Sequence, residues 1–184
     1  MEDVQGPDFP TGGIIYNKKD ILQAYTTGRG GIVMRGKAEI VENKKGECQI
    51  IISEIPYQLN KSSLVEKIAD LIKEKKIEGV RDLRDESGKE GVRIVHDLKK
   101  DSFPKKILNS LYNKTPLQDT YHVNLLALVD GIQPKVLNIK VALEEYIKHR
   151  EEVIKRRTQF ELDRARARAH ILDGLMIALL HIDE

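Results

Sequence analysis

A long tract near the end of the sequence constrains the fold more than any other feature. Residues 137–182 contain no proline, and Gly174 is their only glycine. Pro and Gly disfavour a helix interior most strongly, and apolar residues return here at helical spacing, as at Leu143 and Ile147. A helix over this tract would be about 65 Å long, which exceeds the width of a small domain. We therefore predict a helical arm over residues 137–184.

The charges along this tract favour a helix that spans open space. Apolar residues thin out between positions 155 and 169 and return from Ile171, which predicts a partner helix there. A bend or break is expected near Arg150 or at Gly174. Four acid–base pairs stand four residues apart in the favourable order, each contributing about 0.2–0.5 kcal/mol to a helix: Glu144–Lys148, Glu145–His149, Glu151–Lys155 and Glu152–Arg156.

The residues before the arm predict an α+β body. Between residues 13 and 136, alternating and amphipathic segments follow one another in the order β-α-β-β-α-β-β-α-β. Asn17, Asn60 and Pro104 stand where helices are expected to begin. Hairpins mixed with single helices are typical of helices packed against one mixed β-sheet. Residues 1–12 are expected to form a leading loop.

Three strands of the body carry specific expectations. Ile32–Val41 alternates apolar and polar residues, so we predict one half-buried strand there. The more uniformly apolar Cys48–Ile55 is predicted to be a central strand, with residues 42–47 forming the turn before it. A last strand is expected at about Asp119–Val129.

The stretch YTTGRGGIVMRGKAEI, residues 25–40, concentrates positive charge. Arg29 stands among three glycines, which allow positive φ and close backbone approach. Arg35 and Lys37 follow two residues apart, on one face of the predicted strand. Such a row suits contacts to nucleic-acid phosphates, which position a duplex without reading its sequence. A helix C-cap followed by an ordinary solvated strand face explains the same residues, and both interpretations stay open.

A second polar cluster stands at the start of a predicted helix. In IPYQLNKSS, residues 55–63, the cluster comprises Gln58, Asn60 and Lys61. Free backbone N–H groups at a helix N-terminus favour an anion. Asn60 is also well suited to cap the helix, and capping alone accounts for it. The arginines of residues 155–168 are interpreted as a solvated helix face.

Composition and motifs argue against several classes of site. The net charge is +2, so a nucleic-acid footprint must come from local clusters. Cys48 is the only cysteine, which excludes an internal disulfide and a cysteine-rich metal site. The five histidines form no HxxxH or HExxH pair, and no nucleotide-binding glycine loop occurs. We expect no catalytic residue, metal site or cofactor in this chain.

Six segments, taken in order, resemble the A subunits of type IIA DNA topoisomerases. They are GPDFPTGG, YTTGRGGIVMRGKAEI, ISEIPYQLNKSSLVEKIADLI, GVRDLRDESGKEGVRIV, ALVDGIQPKVLNIK and HREEVIKRRTQFELDRARARAHILDGL. Together they cover almost the whole chain. The region LVDGIQPKVLNIK is more similar to the DNA gyrase A subunit than to its sister in topoisomerase IV.

The resemblance implies a fold and a surface. Residues 13–136 would be the tower domain, which supports the bent gate duplex. Residues 137–184 would be the start of a coiled-coil arm that links the DNA gate to the exit gate in ATP-dependent supercoiling, with both ends of the chain cut from a longer subunit. The loop TGRGG and the segment YQLNK would face the backbone of the bent gate duplex, with Arg29 and Lys61 as the strongest candidates. The implied DNA-binding residues are Arg29, Arg35, Lys37, Gln58, Asn60 and Lys61.

The resemblance also implies partners. These would be double-stranded DNA, a gyrase B subunit and a second A subunit in the bacterial cytoplasm, with no membrane. In the family, the cleaving tyrosine lies in an upstream winged-helix domain, and Mg²⁺ and ATP are bound through the B subunit. This chain alone should then be non-catalytic. The alternative function is a protein-interaction scaffold whose charges merely solvate it.

Overall fold

A computed structural model of the chain describes residues 4–42, 47–129 and 131–181. The described residues fall into two compact units, on either side of the bond between Leu126 and Ala127. The helices are α1 (Lys18–Thr27), α2 (Lys61–Lys73), α3 (Pro104–Lys114) and α4 (Ile139–Leu180). The strands are β1 (Ile14–Ile15), β2 (Arg29–Arg35), β3 (Ala38–Glu42), β4 (Cys48–Ile52), β5 (Val80–Asp85), β6 (Ile94–Leu98), β7 (Gln118–Asn124), β8 (Leu126–Val129) and β9 (Gln133–Val136).

The larger core of the first unit lies between a four-stranded sheet and two helices. The strand order is β3-β4-β6-β5, so β4 is an inner strand, as predicted from its uniformly apolar sequence. Ile50 and Ile52 from β4 are fully buried, and so are Leu64 and Ile68 from α2. From α3, Leu111 joins the same cluster. Spacings of three and four residues place these helical side chains on one stripe, as expected for an amphipathic helix.

A smaller core belongs to a second, three-stranded sheet. Its order is β1-β2-β7, and all of its pairings are antiparallel. Helix α1 covers one face, where Ile21 and Ala24 pack with Ile32 of β2 and Val123 of β7. The other face of the β2–β7 pair carries no helix of this cluster. Most of its positions are exposed, whereas Val33, Arg35 and Gln118 are half-buried.

The predicted single strand Ile32–Val41 is wrong, because the chain changes sheets in its middle. At Gly36 the backbone N–H donates to the Leu117 carbonyl at 2.8 Å. A Cβ at this position would lie 2.6 Å from both the Glu54 carbonyl oxygen and Leu117 Cδ1. Only glycine fits there, so the chain can cross from β2 in one sheet to β3 in the other. Apolar and polar residues continue to alternate across Gly36, so the sequence pattern does not show where the chain changes sheets.

The α+β class with a long helix is confirmed. In detail, the strands are distributed over separate sheets, and the described pairings of the two larger sheets are antiparallel. The strand expected at Asp119–Val129 is divided into β7 and β8, and β8 pairs with β9. The predicted turn between β3 and β4 includes residues 43–46, which lie outside the described residues.

The predicted helix ends are confirmed at atomic detail. Asn17 Oδ1 accepts a hydrogen bond from the Lys19 N–H, and Asn60 Oδ1 accepts one from the Ser63 N–H. Gly28 ends α1 with φ of 77°, a left-handed conformation that glycine adopts without steric cost. Pro104 occupies the first turn of α3, where a missing N–H carries no penalty.

Helix α4 extends over 42 residues, which corresponds to about 63 Å. It begins at Asn138, whose side chain accepts a hydrogen bond from the Val141 N–H at 2.8 Å. The helix is continuous through Arg150 and Gly174, so the predicted break is not present. No residue within its bounds is buried. One of the predicted ion pairs forms, between Arg156 and Glu152.

The crossing at Gly36 gives a first prediction. Replacement by alanine, Gly36→Ala, places a methyl group against a backbone carbonyl that has little freedom to move. We expect the free energy of unfolding to fall by about 1–3 kcal/mol, as for other overpacked sites. Urea denaturation monitored by circular dichroism measures this change.

The matched control is Gly88→Ala. A Cβ added at Gly88 meets nothing within 4 Å, so the free energy of unfolding should change by less than about 0.5 kcal/mol. Equal effects of the two substitutions would contradict the steric role of Gly36.

Candidate nucleic-acid interface

The open face of the β2–β7 pair forms a polar surface. Residues directly opposite in an antiparallel pair share a face, and the register aligns Arg29 with Asn124 and Arg35 with Gln118. We call this surface the β2–β7 face. From β2 it comprises Arg29, Gly31, Val33 and Arg35, and from β7 it comprises Asn124, His122, Thr120 and Gln118. None of these side chains is acidic, so the surface has a positive charge.

Arg29 lies at the exposed start of β2. A hydrogen bond and a close packing contact hold the backbone around Arg29. The Gly28 carbonyl accepts a hydrogen bond from the Leu125 N–H at 2.9 Å, and a Cβ on Gly30 would lie 3.0 Å from Ala24 Cβ. The Thr27 hydroxyl bonds the backbone of Arg29 and leaves the guanidinium alone. Among the described residues, no side-chain hydrogen bond or ion pair engages this guanidinium.

Arg35 is held by neutral groups. Its Nε donates a hydrogen bond to Gln118, and its Cζ lies 4.9 Å from the ring centre of Tyr16 and 5.1 Å from that of Tyr112. Cation–π contacts fix the guanidinium without cancelling its charge. Burial raises the pKa of the Tyr112 hydroxyl, which donates a hydrogen bond to the Gly36 carbonyl at 3.0 Å. Arg35 is therefore a positioned cation with no carboxylate partner in the described chain.

Lys37 does not continue the row that the sequence predicted. It lies beyond the end of β2, at the crossing between the sheets, where its carbonyl accepts a hydrogen bond from the Ser53 N–H. The expected alignment of Arg35 and Lys37 on one strand face is wrong, since the strand ends between them. The Lys37 ammonium is half-exposed and lies 4.0 Å from the Glu39 carboxylate, at the limit of an ion pair.

The three side chains of the second predicted cluster differ in the hydrogen bonds and ion pairs that they form. Gln58 is exposed and has φ of 66°, which is uncommon for a residue other than glycine. Asn60 caps α2 through its oxygen. Lys61 lies 2.7 Å from Asp85, and this ion pair together with hydrogen bonds from Ser87 lowers the pKa of the Asp85 carboxyl to about 2. Of the six predicted residues, Lys61 has the closest carboxylate partner.

The structure brings Gln58 to the edge of the three-stranded sheet. A groove of about 380 Å³ is lined by Met34, residues 57–59 and residues 119–122. The groove brings Gln58 near Thr120 and His122 of the β2–β7 face, and its lining also includes the exposed Asp119 from the opposite face. Nearby, the rings of Phe9, Tyr57 and Tyr121 pack against one another with centroids 5.0–6.0 Å apart. Sequence reasoning missed the polar residues of β7, because it did not predict which strand pairs with β2.

Other arginines of the first unit are neutralised by carboxylates. Arg84 contacts Asp82, Glu86 and Asp97, and Arg93 contacts Glu86 at 3.0 Å. These hydrogen bonds raise the pKa of Arg84 and lower that of Glu86. Burial alone would raise the pKa of the Asp97 carboxyl, but hydrogen bonds from Arg84 and Gln49 lower it overall. This edge of the four-stranded sheet is therefore a balanced network rather than a cationic surface.

The described ranges contain no group of three His, Cys, Asp or Glu side chains that could hold a metal ion. His96 is fully buried in β6, and its Nδ1 lies 3.4 Å from the Ile50 carbonyl oxygen. Its Nε2 has no hydrogen-bond partner among the described residues. Burial lowers the pKa of this imidazole to about 4, so His96 is a neutral core residue at pH 7.

Comparison with known proteins identifies the family. The family described as the A subunit of DNA gyrase/topoisomerase IV matches residues 1–184. The chain belongs to this family. It is 58% identical over 184 residues to the DNA gyrase A subunit of Clostridium acetobutylicum, covering 100% of this chain and 22% of that protein. It is 54% identical to the DNA gyrase A subunit of Staphylococcus epidermidis and 53% identical to that of Staphylococcus aureus, in each case over 185 residues and 21% of the relative.

Membership of the gyrase/topoisomerase IV A-subunit family confirms the resemblance that the six segments indicated. The chain spans about a fifth of the length of the relatives it matches, so similarity assigns it a family but not the activity of a whole subunit. Within the described parts of the chain, every helix is too short or too polar to cross a bilayer.

The buried imidazole of His96 predicts a pH dependence of stability. The pKa is lowered in the folded state from 6.5 to about 4, so the unfolded chain binds the proton more tightly. Stability should be complete above pH 6.5 and fall as the pH is lowered toward 4, by at most about 3 kcal/mol. Urea titrations at several pH values in this range measure the loss.

The substitution His96→Leu should remove most of the pH dependence between 6.5 and 4, whatever its effect on stability at pH 7. The control Val95→Ala, at a buried position of β6, removes packing but no titratable group and should leave the wild-type pH dependence in place. An unchanged pH profile in His96→Leu would show that another group is responsible.

Proposed function

We propose that this chain is the non-catalytic, DNA-supporting part of the A subunit of a type IIA topoisomerase, and that its β2–β7 face binds the phosphate backbone of a duplex. The proposal rests on two arginine side chains whose positive charge is not balanced by a carboxylate among the described residues. Arg29 and Arg35 share one strand face, and neither guanidinium contacts a described carboxylate. Family membership supports DNA as the anionic partner.

The dimensions of the surface suit a duplex. Arg29 and Arg35 are six residues apart on β2, which corresponds to about 20 Å along the strand. Each DNA strand carries one phosphate per about 3.4 Å of helix axis, so this distance equals roughly six base-pair steps. Between the arginines, the surface consists of the exposed Gly31, Thr120 and His122 and the half-buried, apolar Val33. These groups position a backbone and do not read its sequence.

The remaining predicted residues take secondary roles in the proposal. Gln58 extends the surface through the groove beside His122, and Lys37 adds a cation at the crossing between the sheets. Lys61 must exchange the Asp85 carboxylate for a phosphate before it can contact DNA. Asn60 acts first as a cap, which fixes the direction of the α2 N-terminus.

The whole subunit would use this surface on a bent duplex. Smooth bending of a site of 20–30 base pairs costs about 1–6 kcal/mol, which distributed phosphate contacts can offset. The arm would link the DNA gate to the exit gate of the whole subunit, and α4 is suited to transmit movement between them because it is unbroken from Ile139 to Leu180. A gyrase B subunit would supply Mg²⁺ and ATP, and a second A subunit would complete the assembly.

A protein-interaction scaffold remains the alternative function. The exposed apolar residues in the last turns of α4, among them Leu175, Met176 and Leu179, favour a partner helix there. The two functions are distinguished by whether the chain binds duplex in a salt-dependent way.

The proposal predicts the effect of charge reversal at Arg29. In Arg29→Glu we expect duplex affinity at about 50 mM salt to fall by roughly tenfold or more, because one phosphate contact is lost and one repulsion is gained. The slope of log affinity against log salt should decrease by about 1. Fluorescence anisotropy of a labelled 30-base-pair duplex at several salt concentrations measures both quantities.

Arg93→Glu is the matched control, since Arg93 is also exposed but already paired with Glu86 at 3.0 Å. It changes the net charge equally and should have a clearly smaller effect on both affinity and slope. If Arg29→Glu and Arg93→Glu weaken binding alike, the β2–β7 face is not a specific contact surface. If the unaltered chain shows no salt-dependent binding at all, the scaffold function is favoured.

A further inference from the structure

A second cationic feature lies at the C-terminal end of α2, away from Asn60 and Lys61 at its start. An open cleft of about 470 Å³ runs between the turn after α2 and the outer face of α3. We call it the lysine cleft, because its lining includes Lys75, Lys76, Lys99, Lys106 and Lys114. The sequence pattern does not single out these residues, since they come from three separate segments. Helix α2 has 13 residues, which places the two ends about 20 Å apart.

The turn after α2 presents Lys75 in an unusual conformation. The Lys75 N–H donates to the Ile72 carbonyl, and the Lys76 N–H donates to the Leu71 carbonyl at 2.9 Å. This is the Schellman arrangement, in which the residue after the cap is left-handed and is usually glycine. Here that residue is Lys75, with φ of 56°. A lysine therefore occupies a backbone position that glycine would fill with less strain, and its side chain lines the cleft.

Helix α3 forms the opposite wall. Lys106, Ser110 and Lys114 are spaced four residues apart, so they lie on one face of the helix. Lys114 Nζ donates a hydrogen bond to the Lys76 carbonyl at 2.7 Å, which ties the two walls together. At the mouth, the ring of Phe103 is 76% exposed and gives α3 no side-chain cap.

Lysines outnumber carboxylates around the cleft. The lining holds five lysines and two carboxylates, Glu78 and Asp101, and with Glu74, the partner of Lys76, the net charge is +2. Lys76 is paired with Glu74 at 2.7 Å. Within the described residues, Lys75, Lys99 and Lys106 form no ion pair. Several ammonium groups around one open depression repel one another unless an anion lies between them.

We propose that the lysine cleft is a second binding surface for the phosphate backbone of DNA, separate from the β2–β7 face. This inference rests on the proposed function for the identity of the polyanion. The cations stand on flexible stems around an open depression rather than converging in an enclosed pocket. Such an arrangement suits several phosphates spread along a backbone better than one small anion held by fixed hydrogen bonds.

The test combines two substitutions that remove charge without disturbing packing, Lys75→Gly and Lys106→Gln. Glycine relieves the left-handed strain at position 75, so the double variant should retain or exceed the wild-type thermal midpoint. With a labelled 30-base-pair duplex at about 50 mM salt, we expect affinity to fall by roughly tenfold or more and the salt slope to decrease by about 2. Backbone amide signals of residues 75–79 and 102–107 should shift when the duplex is added to the unaltered chain.

The matched controls are Lys73→Gln with Lys67→Gln, two exposed α2 lysines outside the cleft lining. This pair removes the same charge and should reduce affinity and slope clearly less. Equal effects of the two pairs, or amide shifts in the cleft with inorganic phosphate but not with duplex, would overturn the proposal.

Comparison with Arg29→Glu separates the two surfaces. If only Arg29→Glu weakens binding, the β2–β7 face stands and the lysine cleft is refuted. If only the cleft variant weakens binding, the cleft stands and the assignment of the β2–β7 face fails. If the unaltered chain does not bind duplex in a salt-dependent way, both fail together.

Discussion

At Gly36 the backbone passes between two sheets so closely that no side chain can be accommodated beside Glu54 and Leu117. This one steric constraint separates β2 from β3 and gives each sheet its own core. Because β2 then pairs with β7 instead of lying in the four-stranded sheet, one face of β2 carries α1, and the other is exposed at Arg29 and half-buried at Arg35. The location of Arg29 and Arg35 on an open face follows from that separation.

Charge compensation decides which basic residues of this charge-rich chain can meet a polyanion. The arginines at the edge of the four-stranded sheet are paired with carboxylates at short distances and hold β5 and β6 in place. Arg35 is held instead by an amide and two aromatic rings, which orient the guanidinium and leave its charge unbalanced. Lys61 lies between these cases, since Asp85 competes with any phosphate for it. Exposure alone therefore does not identify a nucleic-acid surface.

Local sequence signals were sufficient to predict features that depend on residues close together in the chain. The caps at Asn17 and Asn60, the start of α3 at Pro104 and the length of α4 follow from residue type and spacing. The prediction failed at Gly36, because alternating polarity continues there while hydrogen-bond partners change. The polar residues of β7 and the lysines of the cleft also escaped prediction, since they gather around segments distant in sequence.

By itself, the sequence determined the α+β class, the long terminal helix and, through six ordered segments, the topoisomerase A-subunit family. These properties depend on short-range hydrogen bonding, on hydrophobic periodicity and on residue order, all of which can be read from the linear sequence. Only the tertiary structure decided that β2 pairs with β7, that Lys61 contacts Asp85 and that five lysines share one cleft. Charges act through space, so whether a cation is free or paired depends on which distant segments the fold brings within about 4 Å of it.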